Sequence, residues 1–189
     1  MKKIIISLLL AVCTVCSAQT NHMKFKGIPI DGTLNSFVQK LKDKGYTFIE
    51  QKNGVAILEG EFAATKGCTI CVARFSDRDQ VNIVAVIFPE EETWNGITKE
   101  YYTLKDMLKE KYGTPECIEE FSDRDPPSDF LKFHAILRDE CHYKSEFSCE
   151  NGMIQLTMVK VDYNTASVIL KYIDNANADE TRKKIMDDL

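Results

Sequence analysis

Beyond its first twenty residues the sequence has no apolar run of membrane length, so no membrane-crossing segment is expected there. It has no cluster of basic residues either, which argues against a nucleic-acid partner. No GxSxG, HExxH, P-loop or dinucleotide fingerprint occurs, which removes the enzyme classes those fingerprints mark. The pentapeptide "FSDRD" appears twice, at 75–79 and 121–125, but neither copy has the ligand number or the sharp glycine turn of a calcium loop. Each copy reads as turn chemistry, an aromatic strand end followed by Ser and Asp, which hydrogen-bond their own backbone. No metal and no cofactor are expected.

What is present starts with the opening stretch, MKKIIISLLLAVCTVCSAQT. Lys2 and Lys3 form a charged head, residues 4–15 a short apolar run, and Ser17 and Ala18 a small-residue end before Gln19. This is the pattern of a secretory signal peptide, residues 1–18, with cleavage expected after Ala18 and a periplasmic or secreted location. A lipoprotein would need a cysteine after a small residue, whereas Cys13 and Cys16 each follow a valine. Removing 18 of 189 residues leaves 171, and losing two lysines takes the formal charge from −5 to −7. After signal removal no membrane insertion is expected. Five cysteines remain, Cys68, Cys71, Cys117, Cys141 and Cys149, an odd number that leaves at least one thiol unpaired within the chain. Their pairing is not readable from sequence.

Thr33 is a natural cap for a first helix whose Leu34, Phe37, Val38 and Leu41 fall on one face, with Gly45 as its stop. Strand-like runs follow at 46–51, 55–63, 68–75 and 81–88, separated by polar or glycine-containing turns. In a second helix, Trp94, Ile97, Tyr101, Leu104 and Leu108 draw one stripe, ended by Gly113 and Pro115. A strand at 116–121 leads to a third helix capped by Asp129, and strands at 141–149, 153–161 and 166–173 close the order. The halves can be aligned: "TLNSFVQKLKDKG" with "TLKDMLKEKYG", and residues 67–88 with 152–173 without a gap, matching Gly67 to Gly152 and Asp77 to Asp162. The expected fold is therefore α+β, two duplicated units of a helix plus a four-stranded antiparallel sheet, with the helices packed on one sheet face. The units are residues 24–90 and 91–175, the second with an inserted helix at 129–139, followed by a C-terminal helical tail at 176–189.

Reactive groups are present but badly placed for chemistry. Cys68 and Cys71 have redox spacing, yet they lie on a strand, where their side chains point to opposite faces and no helix dipole lowers a thiol pKa. Cys141 and Cys149 share a strand face and His142 takes the other, so zinc ligands would not converge. For the same reason Cys141 and His142 make a poor nucleophile and base. His134 sits beside Phe133 and reads as structural. Trp94, Tyr101 and Tyr102 resemble a carbohydrate platform, but Trp94 and Tyr101 lie on the core stripe. No catalytic residues are assigned.

The stretches "LKEKYGTP" and "FKGIPIDGTLNSFVQKLKDKGY" carry one resemblance. The first is similar to helix ends in β-lactamase-inhibitor-protein-like tandem repeats of exported bacterial proteins. The second resembles the opening of uncharacterised secreted proteins of Gram-negative bacteria. The resemblance spans nearly the whole mature chain and implies a tandem α+β fold and protein binding. It departs in the single clear helix opening each repeat and in the inserted helix, and it carries over no contact residues.

The expected function is an exported, non-enzymatic binding or interaction module, with another protein as its partner. The alternative is a periplasmic hydrolase using a carboxylate or cysteine site. The candidate binding face comes from the last strand of each unit. Ala166, Val168, Leu170 and Tyr172 should lie under the helices. The opposite face carries Ile169 and Ile173, and the ungapped alignment adds Val84, Val86 and Phe88. If no loop or inserted helix shields it, these five residues form an exposed apolar patch.

Overall fold

The computed structural model describes residues 21–75, 77–176 and 186. The expected signal peptide lies outside the described residues, as does the expected C-terminal helix apart from Ala176 and Met186.

The chain begins with a hairpin too short for periodicity to reveal. Lys24–Phe25 (β1) pairs with Ile28–Pro29 (β2), and Lys26 and Gly27 turn between them at φ 51° and 81°. Two consecutive positive φ values match the twist of paired strands. The hairpin inserts Phe25 fully into the core, stacked on Phe62 at 5.4 Å and edge-on to Tyr172 at 5.4 Å. Helix α1 spans Leu34–Asp43, and its predicted stripe of Leu34, Phe37, Val38 and Leu41 is buried. Thr33 caps it by accepting from the Ser36 N–H, and Asp79 from the first "FSDRD" accepts from the Leu34 N–H at 3.3 Å. An acceptor at this end satisfies a free helix donor and complements the dipole.

Four strands follow, Thr47–Lys52 (β3), Val55–Phe62 (β4), Thr65–Arg74 (β5) and Val81–Ile87 (β6). Helix α2 is Trp94–Tyr112, with Thr93 as its cap, Ile97, Tyr101, Leu104 and Leu108 buried, and Gly113 ending it at φ 88°. Glu116–Phe121 (β7) leads to α3, Asp129–Leu137, which Ser128 caps rather than Asp129, the first residue inside the helix. Cys141–Cys149 (β8), Gly152–Lys160 (β9) and Ala166–Asp174 (β10) complete the order.

The fold is α+β. One antiparallel eight-stranded sheet runs β3-β4-β5-β6-β10-β9-β8-β7, so each half contributes a four-stranded meander and the last strands of both halves pair at the centre. Helix α1 packs against β3, β4 and β5, α2 against β8, β9 and β10, and α3 against β8, β9 and α2. Along the central strands one face is buried under these helices: Ala56 and Leu58, Cys68, Ile70 and Val72, Val84 and Val86, Ile154, Leu156 and Met158, and Val168 and Leu170.

The structure corrects the face assignment in the first half. Val84 pairs with Tyr172 and Val86 with Leu170, and directly opposed residues in an antiparallel pair share a face. Val84 and Val86 are fully buried and Phe88 is 1% exposed, so all three lie under the helices and form no exposed patch. The ungapped alignment is one residue out of phase here. The mismatch runs through β5 as well, where the alignment sets the buried Ile70 and Val72 against Gln155 and Thr157 of the open face; β6 also carries a bulge at Asn82, since Arg74 pairs with Val81 and Ala73 with Ile83. A one-residue slip sends every side chain to the other face. The two matched glycines also do different work. Gly67 sits at φ 73°, while a side chain on Gly152 would collide with the Ile173 carbonyl and the Met23 sulfur.

Candidate functional site

The face of the sheet away from the helices is built in rows by strand register. One row runs Val55, Ala73, Ile83, Ile173, Met153, Ser148 from β4 to β8. The next runs Ile57, Cys71, Ala85, Lys171, Gln155, Glu146, Glu116, and the third Glu59, Thr69, Ile87, Ile169, Thr157, Lys144, Ile118. Val55, Ile57, Cys71, Ile83, Ala85 and Ile87 are all half-buried, shaded by their neighbours in the sheet, with no helix of the described residues packed on them. Of the predicted binding residues, Ile169 and Ile173 do lie on this face, and both are half-buried. Beside them stand Ile87 and Ile83, not Val84, Val86 and Phe88.

The two ends of this face differ in chemistry. The β4–β6 end is aliphatic. Towards β7 it becomes polar and internally paired: Lys144 Nζ lies 3.1 Å from Glu146 Oε1, which also accepts from Gln155 Nε2 at 2.8 Å. The Gln155 hydrogen bond, and then Lys144, hold the Glu146 carboxyl below its ordinary value. The edge strands are guarded. Every residue of β3 is exposed, and β3 carries Glu50 and Lys52 and a bulge at Ile49, devices that discourage edge-to-edge pairing.

A cavity of about 590 Å³ lies at the other side of the molecule, where the start of α2, one side of α3 and the β9–β10 turn meet. Trp94, Phe130, Phe133, Leu137 and Tyr163 wall it, and Glu92 and Asp129 also line it. Phe130 is 69% exposed and Tyr163 78%, unusual for large apolar rings. His134 lies against Phe130 with ring centroids 4.3 Å apart, so it lines this cavity as well as supporting α3. The sequence placed Trp94 on the core stripe, and the structure finds it half-buried at the stripe's end, edge-on to Tyr143 at 5.5 Å. Tyr101, by contrast, is fully buried and shares a 2.7 Å hydrogen bond with Ser145 Oγ.

The remaining reactive groups do not assemble. All five cysteines of the described residues are free. Burial pushes the Cys141 thiol up to about 12, and it also raises Cys68, Cys71 and Cys149. A thiol held protonated at neutral pH is a poor nucleophile and metal ligand. Cys68 is buried under the helices and Cys71 lies on the open face, as strand alternation predicts. Cys141 is buried, while the exposed His142 shares a 3.0 Å hydrogen bond with Ser122 Oγ from the second "FSDRD". That contact ties the end of β7 to β8, whereas the first "FSDRD" caps α1, so the two pentapeptides serve different turns. Among the described residues no group of three or more His, Cys, Asp or Glu side chains is arranged to hold a metal ion, and no helix is long and apolar enough to cross a membrane.

Periodicity found neither Ile83, Ala85 and Ile87 nor the cavity. The first set was missed because the ungapped alignment is one residue out of phase along β5 and β6, and the cavity draws its lining from three separated segments. Comparison with protein-family models, with curated proteins and with solved structures finds no match to this chain.

Proposed function

We propose that this chain is an exported, non-enzymatic binding module that seats a partner protein on the open face of its sheet. The observation that carries this reading is the run of aliphatic side chains across four adjacent strands, from Ile57 through Ala73, Ile83 and Ile87 to Ile169 and Ile173, with no helix of the described residues packed over them. Eight strands about 4.8 Å apart, each some seven residues long at about 3.3 Å per residue, give a face of roughly 800 Å². That is about what each partner contributes to a standard protein interface. The aliphatic end would supply the desolvated centre and the Lys144–Glu146–Gln155 end a polar rim. The resemblance of "LKEKYGTP" to β-lactamase-inhibitor-protein-like repeats points the same way, as does an origin by duplication of a helix-plus-meander unit. The opening residues support export. The hydrolase alternative gains no support, because Cys141 is held protonated by burial and faces away from His142.

The test substitutes Ile87 and Ile169, directly opposed on the open face. Ile87→Glu and Ile169→Glu should each leave the protein folded and abolish capture of the partner that the unaltered chain retains from the exported fraction. Capture that survives both substitutions would refute the reading.

A further inference from the structure

The cavity beside α3 is independent of the open face and has its own chemistry. Its wall is aromatic, through Trp94, Phe130, Phe133 and Tyr163, closed at one side by Leu137. Its volume of about 590 Å³ lies within the range of small-ligand sites, about 300–1,000 Å³. Two carboxylates, Glu92 and Asp129, line it, and no lysine or arginine of the described residues does. The nearby Lys132 lines a separate hollow on Trp94, with its Nζ 5.9 Å from the indole ring and 3.4 Å from Asp125. Opposing the carboxylates are the starts of α2 and α3, each equivalent to about half a positive charge, and both already capped by Thr93 and Ser128. Two full negative charges outweigh two half-charges, so the cavity is net negative. Aromatic faces attract cations and carboxylates hold them, while an apolar body fills the rest of the volume.

We propose that this cavity binds an organic cation, an amine or quaternary ammonium carrying an aromatic or branched apolar body. The head group would sit between Glu92, Asp129 and the rings of Phe130 and Tyr163, with the body against Phe133 and Leu137. The chain has a single tryptophan, Trp94, in the cavity wall, so its fluorescence reports occupancy directly.

The experiment titrates the intact protein with three probes of similar size: benzyltrimethylammonium, benzyl alcohol and phenylacetate. Fluorescence and calorimetry are read in parallel. Saturable binding is expected for the cation, at least about tenfold weaker binding for the alcohol, and none for the anion. Phe130→Ala and Tyr163→Ala change exposed side chains and should each weaken the cation about three- to tenfold with the melting temperature unchanged. Glu92→Gln together with Asp129→Asn should erase the preference for cation over alcohol. Equal binding of all three probes, tighter binding of phenylacetate, or no saturation by the cation up to about 10 mM would each overturn the proposal. None of these results bears on the open face, since Ile87 and Ile169 are not part of the cavity.

Discussion

The two faces of β6 carry much the same residues and meet different fates. Val84, Val86 and Phe88 point under the helices and are closed off from solvent, while Ile83, Ala85 and Ile87 on the same strand have no helix of the described residues above them and are shaded by neighbouring strands. Composition alone therefore does not decide which aliphatic face becomes core. Cover decides it, and cover comes from helices far away in sequence. The covered face also shows what a buried carboxylate demands. Asp174 is the only charged residue buried among those described, and it accepts from the Met23 N–H at 2.7 Å and the Ala176 N–H at 3.1 Å, with His22 Nδ1 3.1 Å away. The open face accepts Lys171 and Glu146 at half-buried positions, Glu146 held by Lys144 and Gln155.

The largest effect should follow from making the covered face resemble the open one. Val86→Glu would bury a carboxylate with none of the donors that surround Asp174. We expect a loss of several kcal/mol, or failure to fold, read from the denaturant midpoint. A midpoint near that of the unaltered protein would mean that the covered face yields to water, and the contrast between faces would collapse.

Removing the satisfied carboxylate comes next. Asp174→Ala strands the Met23 and Ala176 amides and unties the segment around β1 from the end of β10, at a cost of about 3 kcal/mol. Hydrogen exchange should accelerate first at Met23.

Alkali should act chiefly on the covered face. Burial raises the Cys141 thiol from 9.0 to about 12, so folding favours its protonated form. That stabilisation is complete below pH about 9 and is lost as pH rises towards about 12. Tyr101, Tyr143 and Tyr172 are raised chiefly by burial and add in the same direction. Chemical denaturation from pH 8 to 11 should show a steady fall in stability, and Cys141→Ala should flatten part of it.

The smallest effect is expected on the open face. Ile87→Glu places its charge at a half-buried position, and its destabilisation should stay at or below about 1 kcal/mol, well under that of Val86→Glu one residue away. Equal losses for the two variants would place an unrecognised cover over the open face.

Much of this architecture is legible in the chain. The stripe of Leu34, Phe37, Val38 and Leu41 has helical period and a Thr33 cap, and Gly113 followed by Pro115 marks a stop, so α1 and α2 follow from local physics. Strands β7 and β8 are read to the residue. The faces of β6 are not legible, because "VNIVAVIF" is aliphatic at both parities and period-two alternation has nothing to grip. The ungapped match then sets both β5 and β6 one residue out of phase with β9 and β10. The β1–β2 hairpin has only two residues per strand, too few for any period. The cavity is a tertiary product: Glu92, Phe130 and Tyr163 are far apart in sequence, and only the packing of α3 beside α2 unites them with the β9–β10 turn.

On the function proposed above, the open face, and not the helix side, meets the partner. A photo-crosslinking side chain placed at Ala85, at the centre of the open face, and separately at Lys42, exposed on α1, tests it in the native exported fraction. A single specific adduct from Ala85 and none from Lys42, abolished by Ile169→Glu, is the predicted result. An adduct from Lys42 with none from Ala85 would contradict it.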